Sequence, residues 1–215
     1  MRSPIHPEGL RLTASLALMS FLSSKLLRYC RFGTLFAWVF AGAAAFTAFF
    51  FRDPEREISQ EPGVIVSPAD GKVIALETVD NIPELSGPHY KISIFLSIFN
   101  VHMNRAPIEG KVTFRHYNHG KFFPANAPKA STDNEQNSIL IDDQGYRVLV
   151  RQIAGIVARR ILCWVDPGAT LARGERFGLI RFGSRTELYI PASSQVLVTV
   201  GDVVYGGSSI VAKRN

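Results

Sequence analysis

Apolar and polar positions divide this chain unevenly. Residues 12–24 carry no charge, Lys25, Arg28 and Arg31 follow in quick succession, and residues 33–51 are again uncharged. The second run, GTLFAWVFAGAAAFTAFFF, is about 19 residues, or about 28 Å as a helix, close to one hydrocarbon core. The first, of about 13 residues, is too short to span one. The pattern predicts a pair of membrane-embedded or interfacial helices. A secretory signal peptide competes with it, because Arg2 and Arg11 precede an apolar run of suitable length. A buried soluble hairpin is a third reading. Against the signal peptide, no small-residue cleavage site precedes the cationic segment, and a longer apolar run follows. Further positive residues stand after the second run, at Arg52 and Arg56. A spanning hairpin would put the two cationic clusters on opposite faces, against the positive-inside tendency. Two helices dipping into one leaflet from the cytoplasmic side accommodate both clusters, as does one interfacial helix followed by a single span with the β domain on the far side; the first is favoured and predicts a peripheral or monotopic protein of the inner membrane.

At Phe51-Arg52-Asp53-Pro54 the character changes, since the residue before a proline is pushed out of the helical region. The chain then reads as short strands: KISIFLSI (91–98), KVTFRHY (111–117), SILIDD (138–143), YRVLVRQIAG (146–155), RILCWV (160–165), ELYIP (187–191) and QVLVTV (195–200). Turn signals separate them at Asp70-Gly71, Asp143-Gln144-Gly145, Asp166-Pro167-Gly168, Gly201-Asp202 and Gly206-Gly207. Few stretches after Arg56 could form a long helix. The expected organisation is a membrane-associated helical region, residues 1–52, and a mainly β domain, residues 53–215, built as a sandwich or partly closed barrel. SPADGKVIAL and the late run PASSQVLVTVGDVVYGGSSIV echo each other as strand, glycine turn, strand, the look of a barrel-sandwich hybrid. No carrier lysine of the Met-Lys-Met type sits in either turn.

Composition narrows the partners. Hydrophobic residues make up 47% and charged residues 20%, which excludes a disordered chain. The net charge of +6 fits an anionic partner, but no nucleic-acid motif or long Lys/Arg run is present, so an anionic membrane surface fits better than nucleic acid. Cys30 and Cys163 lack metal-ligand spacing. Two buried thiols or a bridge are both open.

Four polar clusters could carry chemistry: SPADGK (67–72), FNVHMNR (99–105), GKFF (120–123) with KAS (129–131) and NEQN (134–137), and GGSS (206–209). Each alone has a plainer reading, as a turn, a structural histidine, a solvated loop and a flexible tail. Together, in this order, and with FFRDPER (50–56), QIAGIVARRI (152–161) and GERFGLIRFGSR (174–185), they resemble the phosphatidylserine decarboxylase family, in its short proenzyme branch. The resemblance runs from about residue 50 to the end.

That resemblance implies self-cleavage at Gly207–Ser208. Ser208 would attack the Gly207 carbonyl, the resulting ester would eliminate, and Ser208 would become a covalent pyruvoyl group. The products would be a large chain, 1–207, and a small chain, 208–215. The family assigns the base and its partner to the histidine of the VHM element and the aspartate of the SPADG element, here His102 and Asp70. The residue types suit the step, because a serine hydroxyl is a poor nucleophile until a base such as imidazole takes its proton. A carboxylate can orient that imidazole and stabilise its cation. The implied reaction is decarboxylation of phosphatidylserine to phosphatidylethanolamine, with the pyruvoyl carbonyl as electron sink and no metal. Homo-oligomerisation is compatible with the pattern and not specified by it. Phe99 stands where longer members carry a second histidine, leaving the later proton donor open between His102, His116 and His119. Ser209 is the alternative to Ser208. A membrane-tethered serine hydrolase using Ser208, His102 and Asp70 is a rival, although the Gly-x-Ser-x-Gly pattern is missing. A non-enzymatic lipid-binding β-domain is another.

Overall fold

The computed structural model describes residues 3–26, 31–80, 82–125, 127, 129–156, 160–181 and 183–215. Arg28, Cys30, residues 157–159 of the QIAGIVARRI element and Phe182 lie outside them. Contacts divide the chain into two compact units, Met1–Glu55 and Arg56–Asn215.

The first unit contains α1 (Pro7–Leu26) and α2 (Arg31–Phe50), each of 20 residues. They run antiparallel. Ile5 bridges Arg52, and the His6 N–H donates to Phe51 O at one end. Midway along, the Ser20 hydroxyl donates to the Ala37 carbonyl across the pair at 2.8 Å. Large apolar side chains point outward from both helices, among them Leu18, Phe21, Phe32, Leu35 and Trp38. Phe32–Phe50 is long and apolar enough to cross a membrane. A helix that is apolar all round, as α2 nearly is, is not built to face water.

The second unit is mainly β. Its largest sheet has eight strands and is curled. In hydrogen-bonding order they are β13 (Val203–Val204), β2 (Gly71–Val79), β3 (His89–Leu96), β11 (Ser184–Pro191), β7 (Tyr146–Ala154), β6 (Gln136–Asp143), β5 (Gly110–Asn118) and β9 (Thr170–Leu171). One three-stranded sheet is formed by β4 (Met103–Arg105), β10 (Arg176–Ile180) and β8 (Ile161–Cys163), and another by β1 (Val64–Val66), β14 (Ile210–Lys213) and β12 (Gln195–Val196). All pairings within these sheets are antiparallel. The only helix among the described residues of this unit is α3 (Ala130–Asp133). The two segments that echo each other in sequence pair through β2 and β13, and β1, just ahead of the first, pairs with β14.

The hairpin joining β6 and β7 shows how the sequence sets register. Gln144 and Gly145 have φ of 52° and 94°, the left-handed pair that a tight two-residue hairpin needs to match strand twist. From that turn Asp142 faces Arg147, Ile141 faces Val148 and Ile139 faces Val150. The inner face is apolar along most of its length, with Ile92, Leu188, Val150 and Ile139 forming one row across four strands. The outer face of the central strands is also covered, by Leu85 against Leu140, Leu149 and Tyr189. Burial on both faces explains why β11 and β6 show no polar alternation. Cys163 is a free, half-buried thiol.

QVLVTV was expected to form one strand, but only Gln195 and Val196 pair regularly. Beyond them Leu197 N–H still reaches Val211 O, and then the Thr199 N–H turns to the Asp202 carboxylate at 2.8 Å. Gly201, at φ 109°, reverses the chain so that its N–H meets Val73 O. The local Asp202 acceptor thus competes with the ladder and wins.

Candidate active site

The loop of residues 67–70 is the hub of the site. Ser67 N–H donates to Ser209 O at 2.8 Å, and Ser67 O accepts the Gly207 N–H at 2.8 Å. Pro68 O accepts the Arg105 N–H at 2.9 Å and the Asn104 amide at 3.4 Å. The Ser67 hydroxyl closes the loop on Ala69 O at 2.7 Å. Three of the four clusters, 67–72, 99–105 and 206–209, are therefore joined by hydrogen bonds although they lie far apart in sequence.

Asp70 is buried at the start of β2. Its Oδ1 accepts the Gly206 N–H at 2.8 Å and its Oδ2 pairs with Arg56 Nη2 at 2.7 Å. The carboxylate grips the turn one residue ahead of the Gly207–Ser208 bond, and the guanidinium offsets its buried charge. The Arg56 guanidinium also lies over the Tyr205 ring, 5.5 Å from its centroid.

The turn itself is tight. Tyr205 O accepts the N–H groups of both Ser208 (3.2 Å) and Ser209 (3.0 Å), and the Ser209 hydroxyl accepts the Tyr205 N–H at 2.9 Å. Ser209 thus holds the turn with its side chain, while Ser208 is half-buried beside the buried Gly207. Gly207 has φ 83°, and a Cβ there would meet Arg105 Cδ and Ile58 Cδ1 at 2.9 Å each. Only glycine takes this backbone position without strain, and its bareness lets the Arg105 side chain approach the peptide. Arg105 is buried and donates from Nη1 to Gly174 O at 3.1 Å.

His102 is 1% exposed, just ahead of β4. Its Nδ1 lies 3.0 Å from Asn100 O. The Asn100 side chain accepts the Ser97 N–H (2.9 Å) and hydroxyl (2.7 Å), which fixes the turn that presents this carbonyl. With Nδ1–H donating to Asn100 O, Nε2 is the basic nitrogen of the neutral ring.

A buried polar chain supports β4. Asn104 donates to Thr186 Oγ1 (3.0 Å) and accepts from Gln152 Nε2 (2.8 Å), and Gln152 Oε1 accepts from Asn137 (2.8 Å). Thr186, Gln152 and Asn137 are neighbours in one row of the inner sheet face, the polar end of an otherwise apolar surface. Gly178 lets this chain pass, because a Cβ there would sit 2.8 Å from Gln152 Nε2 and 2.5 Å from Leu162 O. The third sequence cluster is tied to the FNVHMNR cluster through Asn137, Gln152 and Asn104.

The rest of that cluster is structural in its contacts. The Ser131 hydroxyl donates to Glu187 Oε1 at 2.7 Å, Tyr189 donates to Glu187 Oε2 at 2.6 Å, and Arg185 Nη2 donates to Ser131 Oγ at 2.5 Å. The two hydroxyls satisfy the fully buried Glu187, and Arg185 Nε, 3.4 Å from Glu187 Oε1, offsets its charge. Glu135 accepts from the Tyr117 hydroxyl at 2.5 Å, and burial together with that carboxylate pushes the phenol up to about 12. His116 and His119 are exposed at the end of β5, five strands from β2 in hydrogen-bonding order. His116 stacks on Phe114 and His119 lies edge-on to Tyr117.

Arg56, Asn104, Arg105 and Gln152 carried no site role in the sequence, although each lies inside a quoted motif. Their signal was present, since a charged or amide side chain within an ordered motif invites a partner, but the partners could not be named without the fold.

A β-domain whose C-terminal Gly-Gly-Ser-Ser turn is held by a buried aspartate loop, with the Arg105 side chain close to Gly207, is the frame in which the comparisons fall. A family model described as Phosphatidylserine decarboxylase matches residues 43–212. The chain is 41% identical over 211 residues to a phosphatidylserine decarboxylase proenzyme of Desulfotalea psychrophila, covering 98% of this chain and 96% of that one. It is 50% identical over 168 residues to the proenzyme of Syntrophus aciditrophicus, covering 78% and 79%. It is 49% identical over 169 residues to that of Aromatoleum aromaticum, covering 78% of each. The chain belongs to the phosphatidylserine decarboxylase family.

Proposed function

We propose that this chain is a membrane-bound phosphatidylserine decarboxylase proenzyme. It cuts itself between Gly207 and Ser208 and uses the pyruvoyl group formed from Ser208 to convert phosphatidylserine to phosphatidylethanolamine and CO₂. Besides family membership, the observation that carries this reading is the clasp on the scissile turn: Gly206 N–H on Asp70, Gly207 N–H on Ser67 O, and the Ser209 hydroxyl on Tyr205 N–H. Ser209 is thereby spent on structure, which supports Ser208 as the nucleophile.

In processing, His102 Nε2 takes the Ser208 hydroxyl proton as Oγ adds to the Gly207 carbonyl carbon. Breaking the Gly207–Ser208 C–N bond returns a proton to the serine nitrogen and leaves an ester. Loss of the Ser208 Cα proton then expels the Gly207 carboxylate. The resulting enamine tautomerises to an imine, which water hydrolyses with release of ammonia. Asp70 anchors Gly206 and contributes negative charge that favours an imidazolium nearby, and Arg105 sets positive charge beside the Gly207 peptide. The residues fit the group they would generate, since Ser208 itself supplies its carbon skeleton.

Once formed, the pyruvoyl group supplies an electrophilic carbonyl that accepts the electron pair released with CO₂. His102, buried and oriented by Asn100 O, holds and moves the proton at that point, and His116 and His119 on β5 are not needed. The small chain, 208–215, remains in place after cleavage: Val64 pairs with Lys213 and Ile65 with Ala212, and Val211 and Ala212 are buried in the core.

The outward apolar surfaces of α1 and α2 support membrane association, with the hairpin held monotopically at the cytoplasmic face of the inner membrane. Anchoring confines the search for a lipid headgroup to that surface. Denaturing mass spectrometry tests the whole reading. Wild-type protein should give two chains, the smaller blocked by a keto acid, and Ser208→Ala a single inactive chain of about 23.8 kDa. Wild-type protein that stays whole with its lipid and yields no phosphatidylethanolamine overturns the proposal.

A further inference from the structure

The segment running into the scissile turn carries an apolar surface that the reaction does not use. Leu197 is 49% exposed, Val200 60%, Val203 60% and Tyr205 49%. These side chains are not on a loose tail. Leu197 N–H bonds Val211 O, Thr199 N–H bonds Asp202, Gly201 N–H bonds Val73 O, and β13 is paired to β2. A hydrogen-bonded backbone therefore holds aliphatic groups out, with Val204 buried on the inner face and Val203 on the outer. Ile98 (39%) and Phe99 (66%) are exposed on the loop between β3 and His102.

Charge accompanies the apolar groups. Val203 lies beside Lys72, which lies beside Phe95, in one outward row across β13, β2 and β3, and Lys72 is exposed. The one acid of the turn, Asp202, is engaged with the Thr199 N–H and hydroxyl. Tyr205 presents a ring under the Arg56 guanidinium, an amphipathic pairing suited to a headgroup layer. Aliphatic tips, an aromatic and a lysine on a rigid edge beside a buried site match a bilayer surface carrying anionic headgroups.

We infer that this rim, centred on Leu197, Val200, Val203 and Tyr205 with Lys72, docks the catalytic unit directly onto an anionic phospholipid bilayer and aligns Ser208 with the headgroup layer. The inference rests on the decarboxylase reading and adds to it a membrane contact beyond the N-terminal helices. The helices tether the chain, and the rim orients the site.

The test compares two physical forms of one substrate, using the full-length protein with Leu197→Gln, Val200→Gln and Val203→Gln combined. Tyr205 is kept, because its carbonyl belongs to the cleavage turn. Processing is read by intact mass. Turnover is measured on short-chain phosphatidylserine dispersed as monomers and on vesicles containing long-chain phosphatidylserine. The expected result is normal processing, unchanged turnover of the monomers, and vesicle turnover reduced about tenfold or more. Equal vesicle turnover in variant and wild type overturns the inference, as does an equal loss on both substrate forms. If the triple variant fails to accumulate, Val200→Gln alone is read by the same pair, with a smaller selective loss on vesicles expected and none overturning. A wild-type protein that turns over neither form refutes the decarboxylase reading itself.

Discussion

Replacing Asp70 with asparagine isolates the charge on which the scissile turn is hung. The side chain keeps its shape and one carbonyl acceptor, so the Gly206 N–H retains a partner, but the bond is no longer charge-assisted. Such bonds contribute about 1.5–3 kcal/mol against about 0.5–1.5 for neutral ones, so this contact loses about 1 kcal/mol. The second loss is the ion pair to Arg56 at 2.7 Å, whose side chains are 7% (Asp70) and 19% (Arg56) exposed. Breaking a buried pair costs about 3–5 kcal/mol, and Arg56 keeps some solvent, so about 1–3 kcal/mol is appropriate here. Together these give about 2–4 kcal/mol against the ordered turn, which corresponds to processing about 30- to 1,000-fold slower. The assay is the decay of freshly made 23.8 kDa precursor, followed by denaturing gel or intact mass, with circular dichroism confirming the fold. Arg56→Gln should slow processing less, because the carboxylate stays on Gly206. An Asp70→Asn precursor that matures at the wild-type rate would refute the reasoning and leave Asp70 a structural role only.

His102→Ala is expected to block processing while leaving the β-domain folded. Normal maturation of that variant, seen as two chains of the expected masses, removes His102 as the base. Tyr117 should resist ionisation in alkali, because burial and Glu135 raise it to about 12. The sign follows from the neutral phenol being favoured in the folded state. Its contribution to stability is full below about pH 10, the unfolded value, and is lost as pH rises from there towards about 12. Ultraviolet titration of wild type against Tyr117→Phe checks it, and loss of a phenol titrating near pH 10 would contradict the Glu135 contact.

The sequence pattern was most informative where a periodicity or a turn rule acts over a few residues. Strands β3, β5, β6, β7 and β11 were visible because each is long enough to show β-branched runs bounded by turn residues. The tight turn at Gln144-Gly145 was visible because a two-residue hairpin demands such residues. Strands of two to five residues, such as β4, β9 and β10, carry too few positions for a pattern. QVLVTV reads as one strand by composition, yet Asp202 captures the Thr199 N–H and bends it away. Local propensity cannot anticipate an acceptor that the turn itself brings into place.

What the chain order alone determined is the inventory: two apolar helical segments, a β-rich remainder, and, through the family resemblance, Asp70, His102, Gly207 and Ser208 as candidate groups for the chemistry. Only the tertiary structure decided which of these meet and what holds them. Ser67 and Pro68 bond residues more than thirty positions away, and Arg56 finds Asp70. The reason is physical. Composition and spacing set what each side chain can do, whereas the partners of a buried polar group are chosen by strand pairing between distant segments, which no local pattern encodes.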